Sequence, residues 1–278
     1  MPAPNTKSAG SSRESAQQLR LDHERREKRS RLLMRWGIIG GVLAVLAVIA
    51  VVIVSSIRPD VPAAGPAPAH GNEYGGITLA SPTDLAATAA GTVDAEAALE
   101  ETRETPARVE ADAGPGPVQV VAWVDVNCVH CADFETTYSA QIKQWLDDGD
   151  VTLEYRTVAF LDRNSTSAYS SRAANALACV ADTAPQAYLP FTQALFGNFP
   201  TGELSDDELS DLAEASGAGD ISTCVAEGTF RPWVDFTTNA ASSSGISGTP
   251  TVYIDGEPLA SPADFVTGVE AAIEARGA

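Results

Sequence analysis

Histidine is almost missing from this chain: there are three in 278 residues, and His23 and His70 fall outside the stretch expected to fold. That scarcity removes most zinc chemistry, because a closed zinc site needs four nitrogen or sulfur ligands. Neither H-E-x-x-H nor a second C-x-x-C is present, and no G-x-S-x-G offers a hydrolase serine. Cations are missing unevenly. Residues 1–35 carry nine Lys/Arg and four Asp/Glu, whereas the chain beyond Arg58 carries eight against 33. So acidic a body lacks the basic surface that phosphate binding requires, which excludes nucleic acid as a partner. Acidity otherwise speaks only for solubility. Long apolar runs are lacking too, with one exception: residues 37–57 are 21 residues without a charge. At helical rise such a run spans about 30 Å, the hydrocarbon thickness of a bilayer.

A basic head before that run and an acidic body after it set an orientation, since Lys/Arg-rich flanks stay cytoplasmic. A cleavable signal peptide is the competing reading. Its apolar stretch is typically about 7–15 residues and closes on a small-x-small site; this one is longer and ends in Ser55-Ser56-Ile57-Arg58. The expected organisation is a basic cytoplasmic tail over 1–35, a transmembrane signal anchor over 36–57, an extracytoplasmic Pro/Ala-rich linker over 58–116, and a compact domain over 117–278. The chain would then be a single-pass protein of the plasma membrane, in contact with lipid through 36–57 and with its domain outside the cytoplasm. Gly37 and Gly41 form a G-x-x-x-G, a pattern also compatible with helix pairing. Residues 59–69 (PDVPAAGPAPA) read as a tether unable to form a core. A short strand is expected near 76–80 and a loosely packed helix over 93–104. Residues 81–116 are either a spacer or a segment that docks on the domain and pairs the 76–80 strand with its sheet.

Within 117–278 the spacing predicts a strand at 117–125, a helix over 129–148 ended by Gly149, and a half-buried strand at 151–158. Helices follow over about 166–182, 186–197, 205–216, 220–227 and 230–242, with Ser205 starting the third above an acidic first turn. Gly248-Thr249-Pro250 leads into a strand at 251–254. Asp255-Gly256 signals a hairpin, and Ser261-Pro262 an N-cap with proline at the first position of a last helix. The order is β-α-β, a helical block, then β-β-α: an α+β fold with a mixed sheet.

All four cysteines lie beyond the apolar run, on the side where disulfides persist. Cys128-Val129-His130-Cys131 is the most informative motif. Two thiols three positions apart at a strand-to-helix junction can close a disulfide or open it onto another cysteine. The unpaired N–H groups of a helix start favour the thiolate that such exchange needs. A zinc half-site or an inert buried disulfide is the bland alternative. Cys179 and Cys224 fall in two different helices of the block.

Strand, C-x-x-C, helix, strand, then Gly-Thr-Pro-Thr before a hairpin and helix resembles the thioredoxin fold. Between Cys131 and Pro250 lie 118 residues, and helices fill them, so residues 117–275 look like the membrane-anchored DsbA-like oxidoreductases of Gram-positive bacteria. That resemblance implies a thioredoxin-like fold with a helical insertion at about 160–228. It implies Cys128 as the more exposed nucleophile, Cys131 as the buried resolving thiol, and His130 as a group that steadies the thiolate. A strongly lowered cysteine pKa is a property of DsbA itself, implied here for Cys128; free cysteine titrates near ~8.5. Val129 departs from the family's usual proline. Pro250 after Thr249 matches the family's cis-proline beside the C-x-x-C, and Cys179 with Cys224 a second, structural disulfide. Asp125 stands where many relatives carry an acid. It either handles the Cys131 proton or ends the strand. Phe134 and Trp145 are expected to pack in the core, as are Trp233 and Phe236, although the latter two could edge a groove. The implied activity is oxidation of cysteine pairs in exported proteins, with a membrane quinone reductase of the DsbB or VKOR type restoring the disulfide. No metal or organic cofactor is expected, since the cysteine pair carries the electrons. A reductase, an isomerase or a non-catalytic client-binding module on the same fold remain the alternatives.

Overall fold

In a computed structural model the described residues are 61–88, 91–100 and 116–277, with Gly41 and Val45. The expected tail and anchor over 1–57 lie outside them apart from those two residues. Among the described residues no helix is long and apolar enough to cross a membrane. The chain divides at Asp60/Val61, and all that follows concerns the unit that begins at Val61.

Its centre is β4 (Val118–Val124), a strand so uniformly apolar that it is covered on both faces. Helix α2 (Val129–Asp148) follows and lays Cys131, Phe134, Ile142, Trp145 and Leu146 inward. Gly149 stops it in the left-handed conformation, φ 75°, where its N–H caps the Trp145 carbonyl. Strand β5 (Val151–Thr157) returns parallel to β4. A helical block comes next, with α3 (Tyr169–Thr183), α4 (Tyr188–Gly197), α5 (Asp206–Ala215), α6 (Ser222–Glu227) and α7 (Arg231–Ser243). Ser205 and Glu208 form a reciprocal capping box at the start of α5. Strand β6 (Thr251–Ile254) runs antiparallel to β4, and an Asp255-Gly256 turn leads to β7 (Glu257–Pro258). The final helix α8 (Phe265–Gly277) is entered through a 3-10 turn at Pro262–Asp264. Phe265 there meets Phe134, Tyr138 and Trp145 edge-on or tilted. Trp233 is buried and stacks on Phe236, so both serve packing.

The linker expectation for 58–116 needs correcting. Residues 61–100 belong to the compact unit, which starts at Val61 and not at Pro117. Strands β1 (Ala64–Pro66) and β3 (Thr92–Asp94) pair antiparallel, so the Pro/Ala tether is partly sheet. Strand β2 (Ile77–Leu79) joins β5 to complete a five-stranded sheet of order β2-β5-β4-β6-β7. Helix α1 (Ala95–Glu100) is shorter than the expected 93–104, whose last four residues lie outside the described ones, and it packs on α7. The physical reason is that few large side chains are needed to cover an existing surface. Ile77, Leu79, Leu85 and Val93 enter the main core, while β2 satisfies the backbone groups along an edge that β5 would otherwise expose. Ala95 and Ala98 are small enough to let α1 approach closely, and their carbonyls accept from Asn239 at 2.8 Å and Ser243 at 2.9 Å. Beneath this segment the buried pair Arg156–Glu154 closes at 2.6 Å, with the guanidinium 4.7 Å over the Trp123 ring. Gly76 passes so near Glu154 that a Cβ there would stand 2.1 Å from its Oε1. His70 also belongs to the folded part, its Nδ1 sitting 3.0 Å from the Ala86 carbonyl.

Candidate active site

Where β4 ends, Asp125 turns the chain toward α2. Its backbone carbonyl accepts from Cys128 N at 3.0 Å, and Cys128 takes the N-cap position of the helix. Cys131 lies one turn in. Both are free thiols. Cys131 is wholly enclosed and Cys128 retains 7 % of its surface, so the expected difference in access exists but is small. Val129, at 47 %, is the exposed apolar residue of the motif.

Across from the pair, the loop before β6 presents Thr249-Pro250 through a cis peptide bond. As a thiol, Cys128 donates its Sγ hydrogen to the Thr249 carbonyl at 3.4 Å. Four groups favour the Cys128 thiolate: the Cys131 thiol most strongly, then the Thr249 hydroxyl and the backbone N–H groups of Cys131 and His130. Partial burial works against them. The net result lowers Cys128 to about 5, so it is a thiolate at neutral pH. Burial pushes Cys131 far above the ordinary thiol range, and its hydrogen bond to Cys128 and the negative charge there push the same way. Two sulfurs of one motif therefore hold opposite protonation states. One is a nucleophile and leaving group, while the other is a protonated reserve that can close onto it.

Cys128, Cys131, Thr249 and Pro250 thus come together. The His130 imidazole does not join them: it is exposed, and residue 130 reaches the sulfur through its backbone N–H. Cys179 and Cys224 meet in the helical block as a disulfide between α3 and α6, with Cα atoms 6.1 Å apart. Asp125 does more than end a strand. Its carboxylate accepts from Asn127 N at 2.9 Å, Leu161 N at 2.9 Å and Ser170 Oγ at 2.7 Å, tying the active-site turn to the entrance of the helical block. Burial raises it to about 6 although all three hydrogen bonds pull it down, and the Cys128 charge adds to the rise. Sequence reasoning missed Ser170 and Leu161, which no local pattern marks. It also missed Glu135, a fully buried acid on α2 bonded to the Tyr155 hydroxyl at 2.8 Å. An acid beside Phe134, on the apolar face of the helix, was the available signal. Among the described residues no group of three or more His, Cys, Asp or Glu could hold a metal ion.

Comparison with known proteins agrees with this architecture. A family model described as thioredoxin matches residues 113–275. The reduced crystal structure of DsbA from Mycobacterium tuberculosis shares 28 % identity at a TM-score of 0.50, over 63 % of this chain and 96 % of that one. MdbA of Corynebacterium diphtheriae, a thiol-disulfide oxidoreductase, superposes at a TM-score of 0.53 over 78 % of this chain and 98 % of its own; at 19 % identity this likeness concerns the fold alone. The serine/threonine-protein kinase PknE of Mycobacterium tuberculosis is 31 % identical over 139 residues, 45 % of this chain. The match spans only a quarter (25 %) of the kinase's length. By family match and by architecture, this chain belongs to the thioredoxin family, in its DsbA-like branch.

Proposed function

We propose that this thiol–disulfide oxidoreductase works as an oxidant, introducing disulfides into exported proteins through Cys128 and Cys131. The carrying observation is the opposed protonation of the two sulfurs. A thiolate held at about 5 stabilises the reduced enzyme, and a couple whose reduced form is stabilised is the stronger oxidant. A client thiolate attacks Cys128 in the disulfide form, and a mixed disulfide forms as Cys131 leaves. A second client thiolate then attacks the client sulfur and frees Cys128, which departs readily because it is already stable as an anion. Thr249 and Pro250 form the wall against which the client sulfur approaches. The relative named as DsbA supports this reading.

Residues 36–57 serve, in the same proposal, as a signal anchor that keeps the domain outside the cytoplasm. The charge asymmetry across that run and the placement of every cysteine beyond it support this. Tethering raises the effective concentration of the domain near newly exported chains. It also brings it near a membrane quinone reductase of the DsbB or VKOR type, the class of partner that would restore the disulfide.

The deciding measurement is the reduction potential of the Cys128–Cys131 couple. A value near ~−120 mV marks an oxidant, whereas one near ~−270 mV assigns the same site to a reductase and overturns the proposal.

A further inference from the structure

Two parts of the chain flank the turn that carries Cys128. One is Thr249-Pro250. The other is the helical block, which reaches the turn through Asn127, the residue before the nucleophile. Asn127 N is held by the Asp125 carboxylate at 2.9 Å, so the same turn fixes both residues. The Asn127 side chain donates from Nδ2 to Glu203 Oε1 at 3.4 Å. Glu203 is exposed and lies between the 3-10 turn Phe199–Thr201 and α5. Consecutive Cα atoms stand about 3.8 Å apart, so this carboxylate belongs to the rim of the active-site turn.

Neutral donors fix it there. Ser167 Oγ donates to Glu203 Oε2 at 2.7 Å, and the Ser165 hydroxyl adds to the hold. Slight burial works against the charge, but these hydroxyls, Asn127 and the more distant Arg172 charge outweigh it and keep the carboxyl below its ordinary range. Arg172 is committed elsewhere. Its Nη1 pairs with Asp206 at 2.8 Å, and its Nη2 donates to the Leu204 carbonyl at 2.8 Å and to Ser167 Oγ at 2.9 Å. Among the described residues no Lys, Arg or His comes within ion-pair distance of Glu203. With the Arg172 charge matched by Asp206, Glu203 keeps an unmatched negative charge in water beside the nucleophile.

We propose that Glu203 is a specificity-determining residue. It selects client segments that carry Lys or Arg close to the reacting cysteine, and disfavours those that carry Asp or Glu there. This rests on the oxidoreductase reading above and names its substrate class. A client cysteine attacks as a thiolate and so brings negative charge toward an acidic rim. A flanking cation offsets that repulsion and pairs with the carboxylate. A rim charge acts chiefly on the rate of productive encounter, and salt weakens it because the pair stays in water. Two unit charges about 4 Å apart in water are worth a factor of about five.

The test is single-turnover oxidation of two Cys-x-x-Cys peptides by the disulfide form of the full chain. The peptides differ only in carrying Lys or Glu on both flanks of the motif. Each rate is divided by that peptide's rate with neutral hydroxyethyl disulfide, which removes differences in thiol reactivity. Wild type should favour the Lys peptide, and Glu203→Gln should shrink that preference at least about fivefold at low salt. Glu203→Lys should shrink it further, and molar salt should erase the difference between wild type and both variants. Glu274→Gln removes an equal charge from α8, whose Arg276 donates to the Gly116 and Pro117 carbonyls at the opposite end of β4. It should keep the wild-type preference. A change in the sulfur's own reactivity, or a purely structural loss, moves both peptides alike and leaves the ratio as it was. An unchanged ratio in Glu203→Gln, or an equal loss in Glu274→Gln, overturns the inference while the oxidoreductase reading stands. A wild type without preference overturns it too, and needs no variant to fold. If wild type oxidises neither peptide, both readings fall.

Discussion

Two cysteine pairs share this domain and are held by opposite means. Cys128 and Cys131 are neighbours on one helical turn and remain free thiols. Cys179 and Cys224 come from two helices 45 residues apart and are joined. Burial does not separate them, because Cys131 and Cys179 are equally enclosed. The difference lies in what surrounds the sulfur. Around Cys128 stand two backbone N–H groups, a hydroxyl and a second thiol, all favouring negative charge. Around the other pair a single long contact reaches a sulfur, Asn175 Nδ2 to Cys179 Sγ at 3.8 Å, and the remaining polar contacts fix helices. Asn175 donates to the Cys224 carbonyl at 3.5 Å and accepts from Phe230 N at 2.8 Å, so the bridge sits in a local frame. Reactivity here follows from several donors gathered on one free sulfur.

The sharpest break of this comparison is to remove each sulfur of the reactive pair in turn. Cys128→Ala should abolish dithiol exchange with a small disulfide, while Cys131→Ala should accumulate mixed disulfides at Cys128, visible as covalent adducts by mass spectrometry. Exchange that survives Cys128→Ala would assign the chemistry elsewhere.

Next in size is the pH response. Alkylation of Cys128 should be nearly independent of pH above about 6 and fall about tenfold per unit below its pKa of about 5. The same shift makes stability depend on redox state. A folded-state pKa below the unfolded one contributes stability at alkaline pH that is lost as pH drops through the folded value. The reduced protein should therefore gain on the oxidised one as pH rises from about 5 toward the free-thiol range, and the gain should vanish below about 5. Denaturant titrations of both forms would show it, and parallel curves would argue against a thiolate.

Replacing Cys179 and Cys224 together by Ala should leave exchange intact. It should cost about 4 kcal/mol of stability, the loop-closure value for this separation, read from the denaturant midpoint. Loss of exchange with the fold preserved would make the bridge part of the chemistry.

A smaller effect is expected from Ser170→Ala, which removes one donor from the Asp125 carboxylate. Hydrogen bonds to charged groups contribute about 1.5–3 kcal/mol, so the melting temperature should fall while Cys128 stays reactive. Ser170 is nine residues before Cys179 on α3, about 13 Å along the helix, so this loss and the loss of the bridge should be additive.

Much of the site was legible because its parts are local. A thiol pair at fixed spacing, an apolar strand before it and an amphipathic helix after it are features of consecutive residues. So are the Gly149 stop, the Ser205 capping box and the Asp255-Gly256 turn. The 64–100 segment was legible only in part: the 76–80 strand and a helix from 93 were expected, but the sequence leaves open whether the segment docks or merely spaces, because its four large apolar anchors are scattered among proline, alanine and glycine. They acquire meaning only against the β5 edge and the α7 surface. Asp125 was ambiguous for a related reason: its partners Leu161 and Ser170 are 36 and 45 residues away.

The sequence by itself determined the redox pair and the order of strands and helices, for each depends on the spacing of neighbouring residues. Only the tertiary structure decided that the N-terminal segment covers the sheet, that Asp125 clasps the helical block, and that Glu135 meets Tyr155. Those outcomes depend on desolvation and on donors from distant parts of the chain. Such forces exist only once the chain has closed around them.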